Sequence, residues 1–266
     1  MPAMPADVYA GGPRGVTAQG SRGSRLWTWL LRLLVPAPCL GCGIPVPGPA
    51  APLGLCAGCR GRLRPLDPAT ACAACARPLV GHLPRGFRCG RCRDHPPAFD
   101  RLLARWRYEA PLDGVIAGLK FRRLDYLGGH LGRMLAEAFA ADLAGLDLVV
   151  PVPLHWGRRL IRGYNQAERI ARPLADRLGL PLVHALKRRR ATPAQSTLPR
   201  GARLANLTGA FDPRRLPGGQ DLLGRRVLLV DDVATTGATL DAAAHALKRG
   251  GAAVVVAIVA GRTPGR

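Results

Sequence analysis

The sequence predicts an α/β fold with a parallel sheet for residues 101–266, preceded by a small cysteine-rich module. Two observations predict this architecture. Short apolar runs alternate with helical patterns in the second part of the chain, and all eight cysteines lie between Cys39 and Cys92. The length of 266 residues allows one ordinary core of about 150 residues together with a second, smaller unit. Because no cysteine follows Asp100, we place the boundary near residues 93–101.

The order of elements in the second unit carries the α/β prediction. Continuous runs of β-branched and aliphatic residues are typical of strands buried on both faces. Strands that alternate with helices predict a parallel sheet with right-handed crossovers. The predicted strands are 146–151, 226–230 and 253–259, with a shorter candidate at 180–183. The predicted helices are 112–119, 126–143, 165–178 and 238–249.

The start of the chain has a different composition. Residues 1–25 contain Pro, Gly, Ala and Arg without apolar periodicity, so we expect a disordered tail. Residues 26–36 predict a packing helix that opens the cysteine-rich module 26–100. This stretch is too short for a signal peptide, and no small-residue cleavage site follows it. No run of 18 or more apolar residues occurs, so we expect no transmembrane helix and a cytoplasmic protein.

The formal net charge is +22, and nearly all of the cations are arginines, since only Lys120, Lys187 and Lys248 are lysines. Arginine is well shaped for bidentate contacts with phosphate, and a strongly basic chain favours polyanionic partners. A solvated surface that reflects genomic base composition is the alternative interpretation. The charge is spread along the chain and does not form one basic tail.

The cysteines form four Cys-x2-Cys pairs in one internal repeat with an offset of 33 residues. Two such pairs complete a tetrahedral four-thiolate site with no open position, so we predict two structural zinc ions. The matched spacing favours sequential pairing, with an interleaved cross-brace as the alternative. A reducing cytosol disfavours disulfides, and eight matched ligands disfavour a thiol-disulfide relay. The predicted ligands are Cys39, Cys42, Cys56, Cys59, Cys72, Cys75, Cys89 and Cys92.

In segment 227–239, a buried strand, two acidic residues, a Thr-Gly loop and a helix follow one another. Asp231 and Asp232 come at the carboxyl end of the strand, where open α/β sheets bind ligands, and can accept hydrogen bonds from ribose hydroxyls. The loop supplies hydroxyls and backbone N–H groups at a helix start, which favours a phosphate. We therefore predict a site for a 5-phosphorylated ribose. The loop residues are Ala234, Thr235, Thr236, Gly237, Ala238 and Thr239.

Further short motifs are spread along the chain. They are Cys39-Leu-Gly-Cys42-Gly43, Leu119-Lys120-Phe121, Pro151-Val-Pro-Leu-His155, Arg162-Gly-Tyr-Asn-Gln166 and Gln195-x2-Leu198-x4-Arg203-x2-Asn206. With these motifs, the chain over about residues 26–262 resembles the ComF family. The resemblance implies a type I phosphoribosyltransferase-like parallel sheet flanked by helices, preceded by a double zinc ribbon. Two departures are Tyr164, where Phe is frequent, and Pro199, where Ser is expected.

The resemblance also assigns roles to residues. Asp231 and Asp232 position the ribose of phosphoribosyl pyrophosphate (PRPP) and are the catalytic residues, while the loop 234–239 binds the 5-phosphate. Lys120, Arg158 and Arg162 hold the pyrophosphate beside the rigid Pro-Val-Pro turn, with Mg2+ on the diphosphate. A general base is not evident, and His155 is the candidate nearest to this turn.

Two functions are compatible with these features. The resemblance implies a ComF-type competence protein that binds PRPP, with single-stranded DNA and a competence helicase or translocase as partners in DNA uptake. The alternative is an active phosphoribosyltransferase that joins PRPP to an unknown acceptor without a role in DNA handling. The sequence does not decide whether the site turns over.

Overall fold

The computed structural model describes residues 37–46, 51–81, 83–189, 209–214 and 221–264. The predicted tail at 1–25, the predicted helix at 26–36 and the motif from Gln195 to Asn206 lie outside the described residues. In the described ranges, the strands are β1 (Ala37–Pro38), β2 (Pro45–Val46), β3 (Arg101–Arg107), β4 (Leu148–Pro151), β5 (Leu186–Arg188), β6 (Phe211–Pro213), β7 (Arg226–Ala234) and β8 (Val254–Arg262). The α-helices there are α1 (Ala57–Gly61), α2 (Gly90–Asp94), α3 (Leu112–Phe121), α4 (Tyr126–Ala138), α5 (Trp156–Arg162), α6 (Gln166–Leu178) and α7 (Ala238–Arg249).

Four parallel strands form the central sheet in the order β3-β8-β7-β4. The two inner strands, β7 and β8, are each nine residues long and largely buried. Their continuous aliphatic runs fit this position, because a central parallel strand is covered by other elements on both faces. The predicted α/β fold with a parallel sheet is therefore confirmed.

Most of the predicted elements are present with small changes at their ends. The predicted strands 146–151, 226–230 and 253–259 correspond to β4, β7 and β8, but β7 continues through both acidic residues to Ala234. The candidate strand 180–183 contributes only a single bridge from Leu182 to Val149. Helix α4 ends at Ala138, before the predicted end at residue 143. Strand β3 and the antiparallel pair β5 and β6 were not predicted.

Two core clusters cover the two faces of the sheet, because alternate residues of a strand point to opposite sides. Val227 and Leu229 of β7 lie in the cluster that contains α7 and the second group of four cysteines. Leu228 and Val230 lie in the cluster that contains α3, α4 and α6 together with Cys39 and Cys59. The two halves of the cysteine-rich module thus pack against opposite faces of one sheet.

The chain between the two halves of the module covers the free edge of β3. Leu66 N–H donates to Arg105 O at 3.0 Å, and Arg107 N–H donates to Arg64 O at 2.9 Å. Near the start of the strand, Leu102 N–H donates at 2.9 Å to Ala74 O, which lies within the second cysteine group. These bonds satisfy backbone groups that an open edge would expose to pairing with another chain. These contacts do not test the predicted boundary between the two units near residue 100, which stays a prediction.

Helices α4 and α6 are in close contact through glycine. A Cβ added at Gly132 would lie 2.3 Å from Ile170 O, so only glycine fits between the two backbones. Helix α6 begins at a capped end, where Asn165 Oδ1 accepts a hydrogen bond from Ala167 N–H at 3.2 Å. Among the helices in the described ranges, none is long and apolar enough to cross a bilayer.

Candidate functional site

The described cysteines form two compact groups. In each group the four sulfurs lie within 4.8 Å of one another, and the groups are Cys39, Cys42, Cys56 and Cys59, and Cys72, Cys75, Cys89 and Cys92. The pairing is therefore sequential, as the spacing favoured. A tetrahedral zinc site with Zn–S bonds of about 2.3 Å separates its sulfurs by about 3.8 Å. The Sγ atoms of Cys42 and Cys56 lie 3.8 Å apart, and those of Cys75 and Cys89 lie 3.9 Å apart, so both groups fit zinc.

Backbone N–H groups repeat the same contact in both clusters. Cys56 N–H donates to Cys39 Sγ at 3.3 Å, and Cys89 N–H donates to Cys72 Sγ at 3.3 Å. Burial alone would raise the pKa of the Cys39 thiol, but the backbone donors, first that of Cys56, outweigh it and lower this pKa to about 6. Such donors favour the thiolate form that binds zinc.

The acidic pair lies near the carboxyl end of β7, with Lys120 beside it. Lys120 Nζ, near the end of α3, lies 2.6 Å from Asp232 Oδ2, and the two side chains are 23% and 5% exposed. Asp231 Oδ1 accepts a hydrogen bond from Asp232 N–H at 2.9 Å. The ion pair with Lys120 shows that Asp232 faces α3.

Burial and the neighbouring Asp232 carboxylate shift the pKa values of both Asp231 and Lys120. Burial raises the pKa of Asp231 to about 8, and the neighbouring Asp232 carboxylate adds to the shift. Burial alone would lower the pKa of Lys120, but the Asp232 carboxylate outweighs it, so this pKa is raised. Asp232 and Lys120 thus form a partly buried ion pair, next to a carboxyl group that is protonated at neutral pH.

The loop 234–239 connects β7 to α7. Gly237 has φ +83°, a conformation that glycine adopts without strain, and it immediately precedes the first turn of α7. Thr236 Oγ1 accepts a hydrogen bond from Ala238 N–H at 3.3 Å. The loop therefore ends at the N-terminus of a twelve-residue helix, where free backbone N–H groups and the helix dipole favour an anion.

The turn after β4 approaches α3 through polar contacts. Asn165 Nδ2 donates to Val152 O at 3.0 Å, and the Tyr164 hydroxyl donates to Leu119 O. The Arg162 guanidinium stacks 5.1 Å above the Phe121 ring, next in sequence to Lys120. Tyr164, which departs from the family pattern, thus links the turn to the helix that carries Lys120. Arg158 lies on α5, but its side chain is outside the described part of the chain.

Two arginines at this site were not found from the sequence. Arg262, at the end of β8, is 3% exposed, and its Nη1 donates to Ala234 O at 3.0 Å. Arg91 of α2 donates from Nη1 to Thr236 O at 2.8 Å. The contacts join residues 28 and 145 positions apart in the chain, so no local pattern identifies them.

Comparisons with known proteins agree with both parts of the chain. The model described as Phosphoribosyl transferase domain matches residues 165–265, and the model described as Double zinc ribbon domain matches residues 30–93. DNA utilization protein YhgH of Escherichia coli K12 is 36% identical over 230 residues, which cover 84% of this chain and 96% of that protein. Competence protein F of Haemophilus influenzae is 31% identical over 202 residues, which cover 74% and 85%. The chain belongs to the ComF family.

A further relative of this ComF protein matches about half of the chain. Adenine phosphoribosyltransferase of Mycolicibacterium paratuberculosis is 33% identical over 145 residues, which cover 53% of this chain and 72% of that protein. The domain match begins at residue 165, although β3 and β4 before it belong to the same sheet. The first strands of the ComF sheet are thus part of the fold without being part of the matched pattern.

Proposed function

We propose that this ComF protein binds PRPP at the carboxyl end of β7 and takes part in the use of incoming DNA in the cytoplasm. The observation that carries the first part is the direct succession of Asp231, Asp232, the loop 234–239 and the N-terminus of α7. This succession offers acceptors for ribose hydroxyls and donors for a phosphate in one continuous segment. The names of the relatives, DNA utilization protein and Competence protein F, support the second part.

Each part of PRPP is bound by a different group of residues. Asp231 and Asp232 accept hydrogen bonds from the ribose, and the loop 234–239 holds the 5-phosphate. Arg158 and Arg162 serve the pyrophosphate, with Mg2+ bound mainly by the diphosphate and water. Lys120 is already paired with Asp232 at 2.6 Å, so its first role is to hold that carboxylate, and contact with the pyrophosphate requires a shift of its ammonium group.

Calorimetry of PRPP with Mg2+ tests the site. The variant Asp231→Asn/Asp232→Asn replaces two carboxyl acceptors by amides and loses the charge-assisted hydrogen bond of Asp232. A hydrogen bond to a charged group is worth about 1.5–3 kcal/mol, which corresponds to roughly 10- to 100-fold weaker binding. Asp142→Asn is the matched control, because Asp142 lies at the opposite end of the sheet, where its Oδ1 is 2.7 Å from Arg101 Nη1. Unchanged affinity in the double variant contradicts the proposed site.

The net charge of +22 motivates the DNA part of the proposal. We expect binding of a single-stranded oligonucleotide whose affinity falls steeply as salt rises, because arginines that contact phosphates release counterions. Fluorescence anisotropy over a salt series measures this slope. Absence of binding at low salt removes single-stranded DNA as a direct partner and leaves a helicase or translocase as the remaining link to DNA.

A second candidate function is catalysis, and the similarity to Adenine phosphoribosyltransferase favours it. The reaction displaces pyrophosphate from the anomeric carbon of PRPP by an acceptor nucleophile, through a transition state with positive charge on the sugar. PRPP-dependent release of pyrophosphate in a screen of nucleobase acceptors tests it. Binding of PRPP without turnover across the screen favours the binding function alone.

A further inference from the structure

Three consecutive carbonyl groups of the loop point toward two arginines. Ala234 O and Thr235 O both accept hydrogen bonds from Arg262 Nη1, the first at 3.0 Å. Thr236 O accepts from Arg91 Nη1 at 2.8 Å. Thr263, the residue after β8, also donates from its backbone N–H to Ala234 O, at 3.1 Å, and so holds the first of these three carbonyls.

The row of carbonyls determines where the amides point. In a planar trans peptide, the carbonyl and the following N–H point in opposite directions. Carbonyls of residues 234, 235 and 236 that face the arginines therefore turn the N–H groups of Thr235, Thr236 and Gly237 to the other side of the loop. That side leads into the N-terminus of α7, where an anion is favoured.

Both arginines are anchored in the second cysteine cluster. Arg262 Nε donates to Cys75 O at 2.9 Å, and Arg262 Nη2 lies 4.0 Å from Cys75 Sγ. Arg91 lies between Cys89 and Cys92 in the sequence, on the short helix α2 that begins after Cys89 and contains Cys92. A zinc ion with four thiolates carries a net charge of about −2, which attracts the buried guanidinium of Arg262.

The first cluster provides an internal comparison, because the repeat places its residues 33 positions earlier. The residue equivalent to Arg91 is Gly58, which has no side chain to extend. The arginine beside the first cluster is Arg62, whose Nη2 donates to Cys59 Sγ at 2.8 Å on the exposed surface of the same ribbon. A guanidinium next to a thiolate thus occurs in both clusters, but the contacts to the loop come from the second.

We propose that the second ribbon braces the phosphate loop, with Arg262 and Arg91 as positioning residues that link zinc at Cys72, Cys75, Cys89 and Cys92 to phosphate binding at residues 234–239. The proposal rests on the proposed PRPP site. The linkage is reciprocal, because any effect of zinc on the affinity for the phosphate ligand requires the same effect of that ligand on zinc. Arg62 of the first ribbon contacts Cys59 Sγ and not the loop, so we expect no such linkage through that arginine.

Calorimetry of PRPP on three variants tests the brace from the ligand side. Arg262→Lys keeps a positive charge near Cys75, but one ammonium cannot replace the planar fork that reaches Ala234 O and Cys75 O together. Arg91→Met removes an exposed contact and leaves the buried one. We expect binding weaker by about tenfold for Arg262→Lys and by a smaller factor for Arg91→Met. Arg62→Met, the matched control in the first ribbon, should bind as the wild type does.

Release of zinc to a chelator tests the brace from the metal side. In equilibrium competition with the chelator, we expect bound PRPP to raise the affinity for one of the two zinc ions by about tenfold, and we expect Arg262→Lys to abolish this protection while Arg62→Met retains it. Protection of both ions to the same degree, or of neither while PRPP is bound, overturns the proposal.

Hydrogen exchange separates failure of the brace from failure of the PRPP site. Amides of residues 235–237 should exchange faster in Arg262→Lys and Arg91→Met than in Arg62→Met, with no ligand present. If the wild type does not bind PRPP but this difference is observed, the ligand assignment is wrong and the brace stands. If PRPP binds and exchange is the same in all three variants, the brace is wrong and the site stands.

Discussion

Replacement of Asp231 by Asn is expected to stabilise the protein, and to do so more strongly as the pH rises. Burial raises the pKa of Asp231 to about 8 from an ordinary value of 3.8. Between these two values the unfolded chain carries an ionised Asp231, whereas the folded chain keeps it protonated. Folding therefore takes up a proton, and the free energy of unfolding falls as the pH rises through this window. An amide at this position does not titrate and has no such loss.

The slope gives the magnitude. A full proton of difference changes the free energy of unfolding by about 1.4 kcal/mol per pH unit. Between pH 6 and pH 8 the slope flattens as the folded-state pKa is reached, so the wild type should lose about 2 kcal/mol relative to Asp231→Asn. Above pH 8 both states are ionised and the difference becomes constant.

Urea unfolding of both proteins at pH 6, 7 and 8, with zinc in excess, measures the difference directly. The comparison isolates position 231, because the two proteins differ only there. Asp142→Asn, on the surface, should run parallel to the wild type. Parallel curves for the wild type and Asp231→Asn would show that Asp231 is ionised in the folded protein, and would refute the argument from burial.

Three further outcomes are expected. Lys120→Met should lower the free energy of unfolding by roughly 3 kcal/mol in chemical denaturation, because it leaves the carboxylate of Asp232 buried without its partner. Lys120→Arg should keep most of the stability, and equal stability of Lys120→Met and the wild type contradicts the pairing. Gly132→Ala should destabilise the protein by about 3 kcal/mol or more, since the new methyl group lies 2.3 Å from Ile170 O. Gly129→Ala in the same helix, whose new methyl group has its nearest neighbour at 3.6 Å, should be neutral or stabilising, and a neutral Gly132→Ala contradicts the close packing. Removal of zinc by a chelator should unfold the cysteine-rich module with loss of near-ultraviolet circular dichroism, and a spectrum that does not change contradicts a structural role for the metal.

The strands that the sequence predicted are those whose position in the sheet leaves a local pattern. β7 and β8 are central and buried on both faces, so each contains a continuous aliphatic run, at residues 227–230 and 254–260. β3 has Arg101, Arg105 and Arg107 among its apolar residues, because it lies at the edge, and its free side is covered by residues 64–74. That cover comes from a distant part of the chain, so the pattern of β3 alone does not identify a strand.

The same division holds for the candidate site. Asp231, Asp232 and the loop 234–239 were predicted because strand, acid, loop and helix follow one another within one short segment. The pairing of Lys120 with Asp232 and the contacts of Arg262 and Arg91 depend on how separate elements pack. A single sequence shows which residue types are available, but it does not show which of its many arginines the fold directs to the loop.

The packing of the ribbons explains why the sheet and the cysteine-rich module need one another. Each cysteine cluster belongs to a core cluster on a different face of the sheet, and the segment between them supplies backbone hydrogen bonds to β3. A cut at residue 100 would expose apolar surface on both faces and reopen the edge of β3. A small ribbon, in turn, has little core of its own and gains one from the sheet and from its zinc. The metal therefore stabilises the faces and the edge of the sheet from which the loop 234–239 extends.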